Sequence, residues 1–313
     1  MTGWSGDGAP VSGSLRDFAI GAVTQHFTRS LARRRGIDFF LPNEHQLDAM
    51  EAFQLSLGRD ADFNLATLTF LDMSVENGKS LFVNGSGQPQ VAGGRCVTCH
   101  NNAGALLANG QNRNFNTNVE DVVHPARSVE NFPVDGGFGQ TPANPDGSFG
   151  NRAFNAATVV EAADTAPFFH NNVAATLEDV LEFYTGPVFN NPRAPAARFA
   201  FTPSQKTDIL NFVRAINTLQ NINVAKRELE EILALTGDPQ NEIASRLVTA
   251  HSDTGNAIVV LGEGGIFPAA AADLTAARQF ISNAQQTIDP APRKQLILQA
   301  LAELGEATDS MTP

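Results

Sequence analysis

The stretch GGRCVTCHNNAGA, residues 93–105, holds the only two cysteines of this 313-residue chain. Cys96 and Cys99 stand three positions apart, and His100 follows the second cysteine directly. C-x-x-C-H is the attachment signature of c-type haem, in which two thiols add to the vinyl groups of one porphyrin and the histidine becomes the proximal ligand of the iron. The spacing therefore predicts one covalent haem c, bound through Cys96 and Cys99, with its iron on His100.

Paired cysteines have three other common uses, and each needs something that this sequence does not offer. A structural zinc site needs two further ligands at suitable spacing, and there is no second cysteine pair. A thioredoxin-like redox pair needs a βαβ context, and the sequence shows no convincing strand pairs. A disulfide across three residues would close almost no loop and stabilise the fold little. Haem attachment is the use that the residues favour.

The composition is that of an acidic globular protein. Hydrophobic residues make up 42% and charged residues 17%, and 33 acidic against 21 basic residues give a formal net charge of −12. An acidic chain repels phosphate backbones, so nucleic acid is excluded as a partner, whereas a basic protein would be attracted. No run of about 18 apolar residues occurs, so the sequence predicts no transmembrane segment.

Hydrophobic periodicity on both sides of the motif predicts an all-α protein. Segments 14–31, 43–57 and 72–83 place apolar residues at helical spacing. The stripe of the second segment consists of Leu47, Met50, Phe53, Leu55 and Leu57. Residues from 101 to about 152 are rich in Asn, Gly, Pro and Asp, which predicts a long irregular segment.

Two later helices carry explicit start signals. Thr176 is placed to cap the first, and Thr202 opens a capping box with proline at the first helical position of the second. The inward positions of these helices are Leu177, Val180, Leu181 and Tyr184, and then Ile209, Phe212, Val213 and Ile216. Three more helical segments are predicted near 225–235, 241–252 and 271–303. The predicted fold is all-α, a cytochrome c-like haem domain with long irregular loops plus a C-terminal helical extension.

The sixth ligand of the iron can be narrowed by subtraction. Methionine is common in cytochromes c, but the chain has none between 101 and 310. The candidates after the motif are His124, His170, Tyr184 and His251. A lone histidine is usually a hydrogen-bonded structural residue, and a tyrosine on an apolar stripe is usually core. Tyr184 is nevertheless the only tyrosine beside 22 phenylalanines, which indicates a use for its oxygen.

The segment TAPFFHNNVAATLEDVLEFY, residues 165–184, resembles the C-terminal haem domain of the bacterial di-haem cytochrome c peroxidase and MauG superfamily. In the peroxidases the position of Tyr184 is a methionine that ligates the haem, and in MauG it is a tyrosine. The resemblance implies His100 and Tyr184 as the axial ligands, with His170 close to the haem. A phenolate ligand would lower the reduction potential, because an anionic oxygen stabilises ferric iron.

The resemblance covers residues 69–222 well, including GKSLF before the motif and ILNFVRAINTL at the end. It is weaker at the N-terminus, where Trp4 matches the tryptophan that lies between the two haems of the family. It implies a helical remnant of an N-terminal haem domain in 1–60, a cytochrome c-like domain in 61–223 and a helical extension in 224–313. The first C-x-x-C-H of the family lies upstream of the Trp4 stretch, so a second haem is not encoded in this chain.

Other matches and departures concern ions and charges around the haem. The structural calcium of the family uses backbone carbonyls that match Thr165 and Pro167, while its asparagine partner comes from upstream. An arginine suited to a haem propionate is missing, because the S-L-R-N of the family is matched by residues 158–161. The replacements that the sequence offers are Arg95, Arg113 and Arg152.

These features support three functional hypotheses. The first is a c-type cytochrome domain that passes single electrons through one haem. The second is an oxidoreductase of the cytochrome c peroxidase or MauG type, acting with a second haem. The third is a haem-sensing or assembly module whose C-terminal helices bind a partner.

Partner and location are expected from the same features. The implied partner is a redox protein or a second haem domain. The N-terminus MTGWSGDGAPVSG has no basic and apolar regions of a signal peptide, while the family attaches its haem after export. We therefore expect a processed or truncated form of a periplasmic or otherwise extracytoplasmic protein.

Overall fold

The computed structural model describes residues 14–26, 34–37, 39–56, 63–86, 94–110, 114–122, 152–190 and 199–313. Within these ranges the chain is mostly helical, which confirms the all-α prediction at the level of fold class. The one sheet there pairs two residues of β1 (Asn114–Phe115) antiparallel with two of β2 (Phe154–Asn155), a pairing that the sequence did not predict. None of the described helices is long and apolar enough to cross a membrane. Trp4, Leu57, Arg113 and His124 lie outside the described residues.

Helices α1 (Leu15–His26) and α2 (Glu44–Ser56) pair with each other, and Arg16 binds both Glu44 and Asp48 across them. The stripe predicted on α2 is buried only at Leu47. Phe53 is 63% exposed and Leu55 66% exposed, and Met50 is also exposed, so the prediction of one inward stripe is wrong for them. The physical reason is that α1 is the only described helix packed on α2, and one neighbour covers only a narrow strip of a helix.

Helix α3 (Met73–Asn84) crosses the first half of the long helix α5 (Pro203–Ala234) at very short range. Gly78 lies against α5 so closely that a Cβ there would be 1.9 Å from the carbonyl oxygen of Asp208. One turn on, the rings of Phe82 and Phe212 meet with centroids 5.3 Å apart. The four inward positions predicted for this part of α5, Ile209, Phe212, Val213 and Ile216, are all buried, as predicted.

Helix α4 (Leu177–Thr185) is short and carries Tyr184 near its end. Its predicted cap is present as a full capping box, in which Thr176 Oγ1 accepts from the Asp179 N–H at 3.1 Å and Asp179 Oδ2 accepts from the Thr176 N–H at 3.0 Å. Thr202 and Gln205 form the same arrangement at the start of α5. Of the predicted inward face of α4, Leu181 is buried and Leu177, Val180 and Tyr184 are half-buried.

The C-terminal part is a four-helix bundle made of α5, α6 (Gln240–Gly264), α7 (Pro268–Gln286) and α8 (Pro290–Asp309). Buried positions in α6 to α8 recur at alternating spacings of four and three residues, with alanine at many of them. The pattern is Ile243, Leu247, Ala250, Thr254, Ala257 and Leu261 in α6, then Ala270, Leu274, Ala277, Ile281 and Ala284 in α7, then Ile297, Ala300, Leu304 and Ala307 in α8. This alternation of four- and three-residue spacings is the heptad pattern, which gives each helix one apolar face toward its neighbours.

The segments predicted in this region differ from the observed helices. The segment near 225–235 is the second half of α5, which runs without a break through residues 223 and 224. The segment near 241–252 extends to Gly264, and the segment 271–303 is two helices separated at 287–289. The break is explained by Asp289, which accepts from the Ala291 N–H as the cap of α8, with Pro290 at the first helical position.

Candidate functional site

The cysteine motif forms a tight turn that directly follows Arg95, whose backbone is extended. Residues Cys96–Thr98 make one 3₁₀ turn, and the carbonyl of Cys96 accepts from the N–H groups of Cys99 at 3.1 Å and of His100 at 2.9 Å. Both cysteines are free thiols. The turn therefore presents two thiols and one imidazole within a single short stretch of backbone.

The imidazole of His100 is held in one tautomer. Its Nδ1 lies 2.8 Å from the carbonyl oxygen of Ala157, and because a carbonyl can only accept, Nδ1 carries the proton. Burial lowers the pKa of His100, outweighing the opposite effect of the Ala157 and Gly104 carbonyls, so the ring is neutral at pH 7. The free lone pair is therefore on Nε2, as in histidines that ligate metals.

The two thiols are half-buried and stay protonated. Burial raises the pKa of Cys96 to about 12, with a further rise from the charge of Cys99, and burial raises the pKa of Cys99 to about 11. Redox-active cysteine pairs need a thiol with a depressed pKa. The raised pKa values of both thiols therefore count against a thioredoxin-like redox pair.

A zinc site at the motif is not supported either. Searched over the described ranges, the one cluster of three potential ligands is Asp273, Glu303 and Glu306, in the C-terminal bundle. The cysteines therefore have no such cluster around them within those ranges, although structural zinc takes four protein ligands.

The ring of Tyr184 lies in a shell of phenylalanines. Its centroid is 4.9 Å from that of Phe189, 5.3 Å from Phe183, 6.0 Å from Phe169 and 6.3 Å from Phe199, all in edge-on arrangements. Edge-on packing at these distances is favourable and fixes the plane of each ring. The shell therefore holds the phenol in one orientation.

The hydroxyl of Tyr184 is the unusual part of this residue. The described part of the chain shows no hydrogen bond to it, since the bond that Asn190 makes to Tyr184 goes to the backbone carbonyl. Burial raises the pKa of Tyr184 well above its ordinary value, and the charges of Cys99 and then Cys96 raise it further. The phenol is thus electrostatically coupled to both thiols. A tyrosine oxygen in an apolar shell normally finds a hydrogen-bond partner.

The imidazole of His170 is bonded to Glu120 and stacks on Phe154. Its Nε2 is 2.6 Å from Oε1 of Glu120, and the two side chains are only 2% and 1% exposed. The imidazole also stacks on Phe154, with centroids 3.6 Å apart and planes 15° from parallel. These contacts join three loop segments, and they occupy Nε2 of the His170 ring.

The other residues that the sequence offers as ligands lie in several parts of the structure. His251 belongs to α6 and lines a surface groove of about 410 Å³ together with Arg278, while Met50 and Met73 are exposed and Met311 is buried in the bundle. Thr165 and Pro167 are exposed, and the Thr165 hydroxyl donates to the carbonyls of Glu161 and Ala162. The calcium site at Thr165 and Pro167 stays a prediction.

Three residues of the site were not expected from the sequence: Ala157, Glu120 and Asn190. Ala157 contributes only a carbonyl, which no sequence pattern reveals. Glu120 is 4% exposed although it lies in a polar loop segment. Asn190 follows α4 and donates to the carbonyl of Tyr184. The one signal for Asn190 in the sequence is its place shortly after the end of α4, because the last carbonyls of a helix need hydrogen-bond donors from outside the helix.

The described residues form a helical protein with a Cys-x-x-Cys-His turn and with a tyrosine in an aromatic shell that is electrostatically coupled to both thiols. Comparisons of the chain with models of protein families, with curated proteins and with solved structures find no match. Its function is therefore inferred from its own residues.

Proposed function

We propose that this chain is a c-type cytochrome that carries one haem and transfers single electrons. Cys96 and Cys99 would hold the haem covalently, and His100 and Tyr184 would bind its iron. The observation that carries the proposal is the neutral imidazole of His100 directly behind two free thiols: its Nδ1 donates to the Ala157 carbonyl, which leaves the lone pair of Nε2 for a metal. Tyr184, whose hydroxyl has no hydrogen bond among the described residues and whose pKa is raised by burial and by both cysteines, would be the second ligand.

The residues present fit a haem in three respects. The thiols are free and protonated, the imidazole is neutral, and the shell around Tyr184 is aromatic. Two buried donors, Nε of Arg152 and Nδ2 of Asn171, have no hydrogen-bond partner in the described residues and would suit the carboxylates of the haem propionates. Arg152 also binds Asp121 at 2.6 Å, so its guanidinium is already fixed in place.

When bound, the haem would supply an iron that cycles between ferric and ferrous states. The apolar shell disfavours a free phenolate at Tyr184, as its raised pKa indicates, so a phenolate there needs a cation beside it. If the His100 imidazole and the Tyr184 phenolate both held the iron, no position would remain for peroxide, which would suit electron transfer better than peroxide chemistry. The phenolate would favour the ferric state and lower the reduction potential.

Covalent attachment is tested by denaturing extraction with acidified solvent. The colour should stay on the protein, with a mass increase of one haem. We expect holoprotein only when the chain is exported together with the haem-attachment machinery, because the family matures outside the cytoplasm. A fully extractable haem, or two haems per chain, would refute the assignment.

The sixth ligand is tested by Tyr184→Phe, which keeps the ring and removes only the oxygen. The variant should lose the phenolate charge-transfer band of the ferric protein, bind cyanide at the opened site and show a raised reduction potential. His170→Ala is the matched comparison, because His170 is bonded to Glu120 and should leave the band in place. An unchanged spectrum in Tyr184→Phe, together with an altered one in His170→Ala, would instead make His170 the ligand.

A further inference from the structure

Asn190 makes more hydrogen bonds with its side chain than its loop position suggests. Its Nδ2 group lies 3.3 Å from the carbonyl oxygen of Tyr184, 3.1 Å from that of Gly186 and 3.2 Å from that of Phe199. Its Oδ1 accepts from the Phe199 N–H at 2.9 Å. One amide thus contacts the end of α4 and the chain at residue 199 at the same time.

Helix α4 depends on such contacts at its C-terminal end. The helix is nine residues long, and α5 is the only described helix that it packs on. Glu178 binds Arg214 at 2.7 Å and ties the first turn to α5, and Glu182 reaches Lys206 at 2.7 Å through an exposed carboxylate. The last carbonyls of a helix have no partner within it, and here Asn190 provides the one for Tyr184.

The same amide also positions one ring of the aromatic shell. The pair of bonds between Asn190 and Phe199 joins the two sides of segment 191–198. The Phe199 ring lies 5.6 Å from Phe189 and 6.3 Å from Tyr184, measured between centroids. Loss of the amide would therefore disturb both the backbone under Tyr184 and a ring that packs against it.

We propose that Asn190 is a positioning residue that fixes the ring of Tyr184 and thereby the direction of its oxygen. The inference rests on the proposed role of Tyr184 as an iron ligand. The position needs a side chain that donates and accepts at once, because three of its partners are carbonyls and the fourth is an N–H. An aspartate has the same shape but cannot donate, and it would place a carboxylate against three carbonyl oxygens.

The test compares Asn190→Asp with Asn118→Asp in the holoprotein. Asn118 is a matched control, because its Nδ2 also donates to a carbonyl of this segment, that of Val188 at 3.2 Å, but makes no bond to Tyr184. In Asn190→Asp the phenolate charge-transfer band should weaken and the affinity of the ferric protein for cyanide should rise about tenfold, the effect of one or two lost hydrogen bonds. In Asn118→Asp both should stay within about twofold of wild type.

The possible results separate this inference from the proposed function. A wild-type protein without a phenolate band would overturn the role of Tyr184 itself. A wild-type band that persists at full intensity in a folded Asn190→Asp protein, with unchanged cyanide affinity, would overturn the role of Asn190 alone. Circular dichroism verifies folding, and if Asn190→Asp does not fold, Asn190→Ser makes the same comparison without an added charge. An equal loss of the band in Asn118→Asp would also refute the inference, since the effect would then be one of general loop stability.

Discussion

Replacing Gly78 by alanine should destabilise the protein, although alanine is the better helix former. The new Cβ would lie 1.9 Å from the Asp208 carbonyl oxygen, 2.5 Å from its carbonyl carbon and 2.9 Å from Cβ of Phe212. Ordinary contact begins at 3.4 Å, so α3 and α5 would have to separate by about 1.5 Å. The nearest atoms are backbone and cannot rotate away. Separation would also loosen the contact between Phe82 and Phe212, whose centroids are 5.3 Å apart.

The expected magnitude is a balance of two effects. Alanine gains about 1 kcal/mol over glycine in a helix interior, whereas overpacking a closely packed contact typically costs about 1–3 kcal/mol and more where no side chain can yield. Net destabilisation by about 2 kcal/mol is therefore expected.

Urea unfolding of Gly78→Ala beside Gly305→Ala measures this balance. Gly305 is also helical, but a Cβ there meets nothing within 4 Å, so Gly305→Ala should leave stability unchanged or raise it by up to about 1 kcal/mol. Equal effects of the two substitutions would show that α3 and α5 do not cross as closely as described.

Two further sets of substitutions test the raised pKa of Asp253 and the attachment of the haem to the two cysteines. Burial, and then the charges of Asp164, Glu161 and Glu228, raise the pKa of Asp253 to about 6, against the opposing effect of Arg227. Because the folded-state pKa lies above the ordinary value of 3.8, ionised Asp253 destabilises the fold above about pH 6, and this penalty disappears as the pH falls below 3.8. Asp253→Asn should therefore raise the free energy of unfolding at pH 8 by about 1 kcal/mol, a value reduced for solvent screening of this half-exposed group, and change it little near pH 3.5. A gain that persists unchanged at pH 3.5 would contradict the assignment. Cys96→Ser and Cys99→Ser should each leave one thioether, so that each variant keeps a haem on the chain under denaturing extraction while the double variant releases it. Retention of the haem by the double variant would show that other residues attach it.

Local signals predicted the elements that carry the site. The capping boxes at Thr176 and Thr202 are complete within four residues of sequence, and both helices start where the pattern indicates. The inward face of α5 was equally predictable, because four buried positions fall on one 3.6-residue stripe. Such features depend on neighbours in the chain and need no knowledge of the fold.

One error arose where a partner distant in sequence decides the outcome, and another where a local signal was overlooked. The apolar side chains of α2 looked inward, but no described helix other than α1 packs on it, so Phe53 and Leu55 are exposed. The break between α7 and α8 could have been predicted from Asp289 and Pro290, which form an ordinary start signal.

At the site itself, the sequence identified the residues by their type and spacing but did not identify their hydrogen-bond partners. Cys96, Cys99, His100 and Tyr184 stand out by rarity or spacing. The carbonyl of Ala157 lies 57 residues beyond His100, and Glu120 lies 50 residues before His170. Pairings of this kind depend on how the irregular segments are laid against one another, which single-sequence periodicity does not encode.

The unbroken course of α5 has a consequence for how the chain unfolds. Its first half packs on α3 next to the cysteine turn, and its second half is one wall of the bundle, with Leu229 fully buried. The chain also returns at its end, where the Met311 carbonyl accepts from the Leu71 N–H at 3.0 Å, and one continuous core reaches from Leu65 to Met311. A cut at residue 223 would therefore not release two domains but leave a split helix and an opened core. Part of the free energy that holds α3 and the cysteine turn together is thus supplied by helices remote from them, and a mutation deep in the bundle should change how often this region opens.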